Sequence, residues 1–578
     1  MEKYYSDEKN AQVIISLLKQ HGIKKVIASP GTTNMAIVGS MQYDPYFEMY
    51  SSVDERSAAY MACGLTAESG EPVVISCTGA TASRNYLPGL TEAYYRKLPI
   101  LTITSTQSLS KVGHHIAQVI DRSSLPADVS NLSLTLPIVN SNEELWDCEI
   151  KVNQAILELK RNGGGPVHLN LPTSYGTFEA KELPKYRLIQ RIAPLDDFPK
   201  LPNGKIAIFI GAHAKMSKIL VATIDQFCSS NNAVVLCDHT SNYKGKYRVL
   251  SSLIGGQIMT VGNLRPQLII HIGEVTGDYY SLSLIKNEVW RLSEDGLIRD
   301  TFQKLTNVFE MPEETFFKYY ANENNDSSDS YLEECKNKLS QIYSKLPELP
   351  FSNVWLASKM AHLIPENSTI HFAILNSLRA WNFFEVPNSV NSMSNVGGFG
   401  IDGCISTLIG ASLANKNKLY FSVVGDLAFF YDLNVIGNRH VGNNVRILMV
   451  NNGLGTEFRQ YKHHASSFGE EANQFIAAAG HYGQKSPNLV KHYAQDLGFE
   501  YMSASNKEEV EKNYQRFLTD EVTDSPMLFE VFTNNDEESL ALETIMNIEE
   551  NMKGIAVQVA TQLLGKKGVK GLKSIIGK

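Results

Sequence analysis

An α/β protein built from three doubly wound parallel-sheet domains is the fold class this sequence predicts, on three observations. Short runs of β-branched and aliphatic residues alternate with helical stretches along most of the chain. Those runs end in glycine or polar turns, as strands do where an open parallel sheet turns its carboxyl edge to a ligand. At 578 residues the chain is too long for one hydrophobic core. Two proline-containing stretches, 181–202 and 345–350, read as linkers, so domains are expected at 1–180, 200–342 and 351–535. A basic segment, 551–578, follows them.

Composition narrows the function classes. A net charge of −8 gives no reason to expect a nucleic-acid partner. The seven cysteines are scattered with no CxxC pair, which suits a reducing compartment and neither a zinc site nor a disulfide framework. The opening MEKYYSDEKN lacks the features of a secretory leader, and no apolar run is long enough to span a bilayer. A cytoplasmic location is the expectation.

Taken in order, apolar positions at Val13, Ile14, Leu17 and Leu18 give 7–22 a helical face. A strand over 25–28 runs into Ser29-Pro30-Gly31-Thr32-Thr33. A second, over 47–53, ends in Asp54-Glu55-Arg56 before a helix rich in small residues. Glu55 either caps that helix as an anion or serves as a proton-transfer group in a tight site. The strand over 73–77 gives way to Thr78-Gly79, and the one over 100–104 precedes a loop carrying Gly113-His114-His115 and Gln118. Two histidines in a loop are surface residues or, beside a reacting centre, proton donors near neutral pH. Strands recur at 205–210, 233–237 and 268–272, but the turns after them lack a full GxGxxG, so no dinucleotide is expected.

The last third carries the densest signal. A strand over 369–372 is followed by Ser394-Asn395-Val396-Gly397-Gly398-Phe399-Gly400-Ile401, a loop in which backbone N–H groups can approach a phosphate closely. The run 420–424 ends in Gly425-Asp426-Leu427, and the run 445–450 ends in Asn451-Asn452-Gly453-Leu454. Asp426 and Asn452 lie 26 residues apart, which accommodates one βαβ unit and places both at strand ends. Such a pair can hold Mg²⁺, which takes few protein oxygens and completes its shell with phosphate. An ordinary strand–helix–strand with a turn Asp and an Asn-Gly turn is the alternative. Beyond it, Glu457, Arg459, Lys462 and His463 are candidate substrate contacts or the polar face of a solvated helix end. Segment 551–578 combines several lysines with apolar Val557, Ala560, Leu563 and Leu564. It reads as a membrane-surface or partner helix, or as a helix docked on its own protein.

In order and spacing, Pro30-Gly31, Glu55, Thr78-Gly79, Gly425-Asp426 and Asn451-Asn452 resemble the thiamine diphosphate enzymes. The resemblance implies pyrimidine, central and diphosphate domains and two cofactors, thiamine diphosphate and Mg²⁺. It implies that Pro30, Gly31, Thr78 and Gly79 surround the aminopyrimidine, with Glu55 hydrogen-bonded to it as the activating acid. It implies that Ser394, Asn395, Gly400, Ile401, Gly425, Asp426, Leu427, Asn452 and Leu454 surround the rest of the cofactor. Ile401 would prop it in a bent shape, and Asp426, Asn452 and the Leu454 carbonyl would hold Mg²⁺. His114 and His115 resemble the pair of simple 2-oxo acid decarboxylases, whereas Gln118 is similar to a glutamine of carboligating enzymes. GIDGCIST with GDLAFFYDLN is similar to the menaquinone-pathway synthase group, which joins decarboxylated 2-oxoglutarate to isochorismate. The likeness spans about 10–175 and 350–535.

The sequence also departs from that pattern. Leu427 stands where many members have a second Gly; Thr33, a further candidate substrate contact, and Val396 stand where the synthase group has carboxylate-binding arginines. Losing two bidentate clamps should weaken that particular reaction. The expected activity is decarboxylation of a 2-oxo acid and carboligation to an acceptor, with the cofactor as electron sink. Simple decarboxylation and a non-catalytic, partner-binding relative are the alternatives. The expected partners are a small 2-oxo acid, an acceptor and further copies of the chain in a homodimer or homotetramer.

Overall fold

The computed structural model describes residues 5–257, 261–323 and 328–549; the basic segment 551–578 lies outside them. The described residues form two compact units, one running to Asp197 and including Gly296–Glu310, the other comprising Phe198–Asp295 and the residues from Met311.

The first unit is built on six parallel strands in the spatial order Glu48–Ser51, Lys25–Ala28, Val73–Cys77, Ile100–Thr106, Val167–Pro172, Leu132–Thr135. Successive strand residues point to opposite faces, and helices cover both. Val26, Val74, Leu101, Ile103 and Val167 share a core with helices Lys9–Gln20 and Asn142–Glu158. Ile27, Val73, Ile75, Cys77 and Ile100 share another with helices Glu55–Ser69 and Leu87–Tyr95. Burial on both faces is why these strands read as unbroken apolar runs. The strand expected over 47–53 is shorter, Glu48–Ser51, because it is a largely exposed edge paired on one side only.

The second unit carries two sheets. In one, Arg248–Leu250, Ala233–Cys237, Ile206–Ile210, Leu268–Ile272 and Glu288–Ser293 lie side by side, all parallel. In the other, the order is Asn391–Met393, Thr369–Phe372, Tyr420–Gly425, Val445–Asn451, Met527–Phe532, Glu500–Ala504. Numbered along the chain, this last sheet repeats the strand order of the first unit's sheet. In both, the chain reverses direction across the sheet between its first and third strands, and ligand crevices open at such points.

Two expectations are corrected. The stretch 181–202, read as linker, contains a strand, Gln190–Ile192, paired in parallel with Leu305–Glu310. Its short Ile-Gln-Arg-Ile pattern is too brief to stand out in a charged, proline-containing stretch. The helix that the βαβ spacing implies between the strands at 420–424 and 445–450 is only Asp426–Tyr431, followed by a 3₁₀ turn at Leu433–Gly437. Asp432 leaves the helical conformation, and its carboxylate accepts from the backbone N–H and hydroxyl of Ser406, both at 2.6 Å. That bond ties this turn to the start of helix Cys404–Ser412. Among the described residues no helix is long and apolar enough to cross a membrane.

The second unit also holds a buried acid away from the strand ends. Glu538 is 2 % exposed and accepts from the Asn353 backbone N–H at 3.0 Å and the Thr533 hydroxyl at 2.7 Å. Burial raises its carboxyl from 4.5 to about 7, against the pull of those two donors. Between these values the folded chain holds a proton that the unfolded chain has lost, so stability is greatest at the acid end and falls as pH rises. The stability lost across this range is on the order of a few kcal/mol. We expect Glu538→Gln, which mimics the protonated acid, to flatten the decline in urea midpoint between pH 5 and 8. A midpoint profile that keeps its slope in the variant would assign the decline to other groups.

Candidate active site

In the first unit, the turns after the first and third strands converge at the reversal point. A Cβ at Gly31 would lie 2.4 Å from Thr78 Cβ, so only glycine lets the Pro30-Gly31 turn approach Thr78 this closely. Beside it, Thr33 and Thr78 are hydrogen-bonded through their hydroxyls, and Thr33 Oγ1 also donates to the Ser105 carbonyl at 3.0 Å. Thr33 is 5 % exposed. Its side chain is thus spent inside the unit, tying three strand ends together, and it is not turned outward to a substrate.

Gly79 meets the loop that follows the fourth strand. A Cβ there would lie 2.9 Å from the Gln118 carbonyl and 3.8 Å from Arg122 Nη1. The backbone of Gln118 therefore abuts Thr78-Gly79, while the side chains of His114, His115 and Gln118 stand exposed on the loop. His115 and Gln118 hold φ of 56° and 63°. Positive φ in such residues costs on the order of 1 kcal/mol or more and persists only where the surroundings impose it. Glu55 opens helix Glu55–Ser69, half-buried, with Asn85 Nδ2 donating to its Oε2 at 3.4 Å. Asp54 caps the same helix by accepting from the Arg56 N–H, so Glu55 is free of the capping role. The tight site expected around Glu55 is only half present within this unit, where Glu55 is half-buried.

In the second unit, Gly425 and Val450 are paired across adjacent parallel strands, so Asp426 and the Asn451-Asn452 turn emerge side by side. The Gly453 backbone N–H lies near enough to act on the Asp426 carboxyl. Asp426 is 5 % exposed. Burial raises its carboxyl to about 7, the N–H groups of Leu427, Asp426 itself and Gly453 opposing and Glu530 adding to the rise. Asn451 is committed elsewhere, donating to Glu530 Oε1 at 2.7 Å. Asn452 Oδ1, by contrast, is a buried acceptor with no hydrogen-bond partner. The Leu454 carbonyl takes one bond, from the Thr456 N–H at 2.9 Å, and keeps a second lone pair. A hard dication fits this donor set: it would offset the buried carboxylate and satisfy the orphaned amide oxygen.

The glycine-rich loop lies beside these strand ends. A Cβ at Gly397, Gly398 or Gly425 would meet nothing within 4 Å, which leaves backbone open to a phosphate. Ser394 Oγ is buried without a partner. Asn395 is occupied as a brace: Nδ2 donates to the Gly403 carbonyl at 3.3 Å and Thr407 Oγ1 at 3.0 Å, while Oδ1 meets His371 Nε2 at 3.1 Å. Gly400, Ile401 and Leu427 are half-buried, and Ile401 packs on the core of this sheet.

The polar stretch after Asn452 is largely self-engaged. Glu457 is ion-paired with Arg379, and Arg459 is hydrogen-bonded to Asn473. Lys462 lies over the Tyr461 ring at 4.6 Å, and His463 Nδ1 accepts from the Ala465 N–H at 3.1 Å. Arg379, which also stacks on Tyr279 at 4.4 Å, has no motif around it in the sequence. Arg122 likewise sits in an unremarkable Asp-Arg-Ser-Ser run. Only the folded chain brings them to the strand ends. Among the described residues no group of three His, Cys, Asp or Glu is placed to hold a metal ion, and the donor set above contains one such side chain.

Comparison with known proteins agrees with this geometry. Residues 8–125 match the family model described as thiamine pyrophosphate enzyme, N-terminal TPP binding domain. The 2-succinyl-5-enolpyruvyl-6-hydroxy-3-cyclohexene-1-carboxylate synthase of Bacteroides fragilis is 30 % identical over 563 residues, covering 93 % of this chain and 98 % of that protein. The synthase of the same name from Flavobacterium johnsoniae is 26 % identical over 566 residues, covering 92 % and 97 %. Among solved structures, a Rhodococcus jostii thiamine diphosphate-dependent 4-hydroxybenzoylformate decarboxylase aligns over 92 % of this chain and 100 % of its own, with TM-score 0.39 and 16 % identity. With its parallel sheets, its strand-end turns and a 30 % identical synthase matched over 93 % of its length, the chain belongs to the thiamine diphosphate-dependent enzyme family that contains these synthases.

Proposed function

We propose that this protein decarboxylates a 2-oxo acid with thiamine diphosphate and Mg²⁺ and transfers the remaining acyl unit to an acceptor. The observation that carries this reading is the pairing of the strand ends at Gly425 and Val450, which sets the buried Asp426 carboxylate beside the turn holding the orphaned Asn452 oxygen. Asp426, Asn452 and the Leu454 carbonyl would hold Mg²⁺, and Ser394 with the bare backbone at Gly397, Gly398 and Gly425 would receive the diphosphate. Bound thiamine diphosphate supplies the electron sink that lets the carboxylate leave as CO₂. Pro30, Gly31, Thr78 and Gly79 would form the surface for the aminopyrimidine, and Glu55 would hold the proton exchanged with its ring. The Gln118 backbone keeps that surface closed over Gly79. The relatives' shared designation as synthases favours transfer over release of a free aldehyde. The family resemblance adds a homodimer or homotetramer as the working form.

Calorimetric titration with thiamine diphosphate, with and without Mg²⁺, tests the cofactor step. A screen of 2-oxo acids for CO₂ release then tests the reaction. We expect Mg²⁺-dependent binding and CO₂ release that accelerates when the acceptor is supplied. Aldehyde formed at full rate without any acceptor would assign simple decarboxylation instead. No binding by folded protein would overturn the enzyme reading.

A further inference from the structure

The first unit contains a buried cation with no acid paired to it among the described residues. Arg122 is 3 % exposed and follows the strained loop that ends at Gln118. Its Nη2 donates to the Ser105 carbonyl at 3.0 Å, but Nε and Nη1 are buried without any hydrogen-bond partner. The ionisable groups that act on it are the Cys77 thiol and the Arg84 guanidinium. Burial pushes the thiol up to about 12, so it is neutral, and Arg84 carries the same sign as Arg122. Asp121, next in sequence, is exposed and turned to the Ser123 N–H at 2.9 Å. His168 is held neutral, pushed down to about 3 by burial first and by Arg122 and Arg84 after it. Ser105 Oγ beside it is a further buried polar atom without a partner.

A buried guanidinium is normally paired, because removing it from water costs several kcal/mol that only an anion with good geometry offsets. Here the missing partner is an anion, and the place is specific. Nη1 would lie 3.8 Å from a Cβ on Gly79, in the Thr78-Gly79 turn, and Ser105 stands at the carboxyl end of a central strand. Arginine's planar fork suits a carboxylate. We infer that Arg122 is a specificity-determining residue that binds a carboxylate of the small-molecule substrate beside Gly79. This rests on the 2-oxo acid reading given above. The uncompensated charge is a cost to the empty protein, retained because the ligand's carboxylate relieves it.

Thermal unfolding of the full chain, with and without 2-oxoglutarate or pyruvate and with chloride as an ionic-strength control, separates this role from a structural one. We expect an oxo acid to raise the wild-type midpoint and chloride not to. Arg122→Met should unfold at the same temperature as wild type or higher when empty, and should lose the oxo-acid response. Its KM for the oxo acid should rise at least tenfold with kcat within about threefold, the signature of lost ground-state binding. An Arg122→Met protein that unfolds earlier yet keeps the oxo-acid response would overturn the inference and make Arg122 a brace for Ser105. So would an unaltered KM in Arg122→Lys, should the methionine variant fail to fold. A wild-type protein that binds thiamine diphosphate normally but shows no oxo-acid response also overturns it. Loss of thiamine diphosphate binding in wild type would instead count against the cofactor reading, which the titration reads separately.

Discussion

We expect Asp426→Ala to weaken thiamine diphosphate binding in the presence of Mg²⁺ by at least about 100-fold, roughly 3 kcal/mol, while the empty protein keeps its stability. The first half follows from the donor set. Asp426 is the one carboxylate at the two paired strand ends, and without it the orphaned Asn452 oxygen and a single peptide carbonyl would be left to face a dication. Neutral oxygens alone bind a hard dication poorly. The second half follows from burial. An acid raised to about 7 by desolvation contributes no stability when ionised, so its removal is tolerated. Titration calorimetry and a thermal midpoint, run on the same preparation, check both halves. Unchanged affinity in a folded variant would move the metal away from this turn.

Glu55→Gln carries the second large effect. Glutamine keeps the shape and the contact with Asn85 but cannot accept and return a proton. The rate of CO₂ release should fall by about 10²- to 10³-fold, within the range typical of a lost acid–base group. Thiamine diphosphate affinity should change by less than about tenfold. Helix Glu55–Ser69 loses a favourable first-turn charge worth about 0.5 kcal/mol, too little to unfold the unit. Turnover within threefold of wild type would leave Glu55 as an ordinary first-turn anion.

Where the chain's own order carries the information, the sequence was a sound guide. Strands such as Val73–Cys77 and Val445–Asn451 are buried on both faces, so their apolar runs are continuous and their ends abrupt. Asp426 and Asn452 were legible because one strand–helix–strand unit spans them and parallel pairing brings their ends level. The strand Gln190–Ile192 was not, since three residues inside a charged stretch make no periodic pattern.

What no reading of neighbours supplies is the state of each polar side chain. Thr33 and Asn395 sit in motifs that suggest outward-facing ligands, yet the fold spends them on Thr78, Ser105, Gly403 and Thr407. Glu457 is engaged by Arg379, 78 residues earlier. Arg122 meets the Ser105 carbonyl, and the loop that carries it there brings no acid to it among the described residues. Sequence by itself determined the class, the order of strands and helices, and the strand-end turns, because these depend on local periodicity and turn chemistry. Tertiary structure alone decided which charges are paired, which are buried and which are left without a partner, because those depend on distances between residues far apart in the chain.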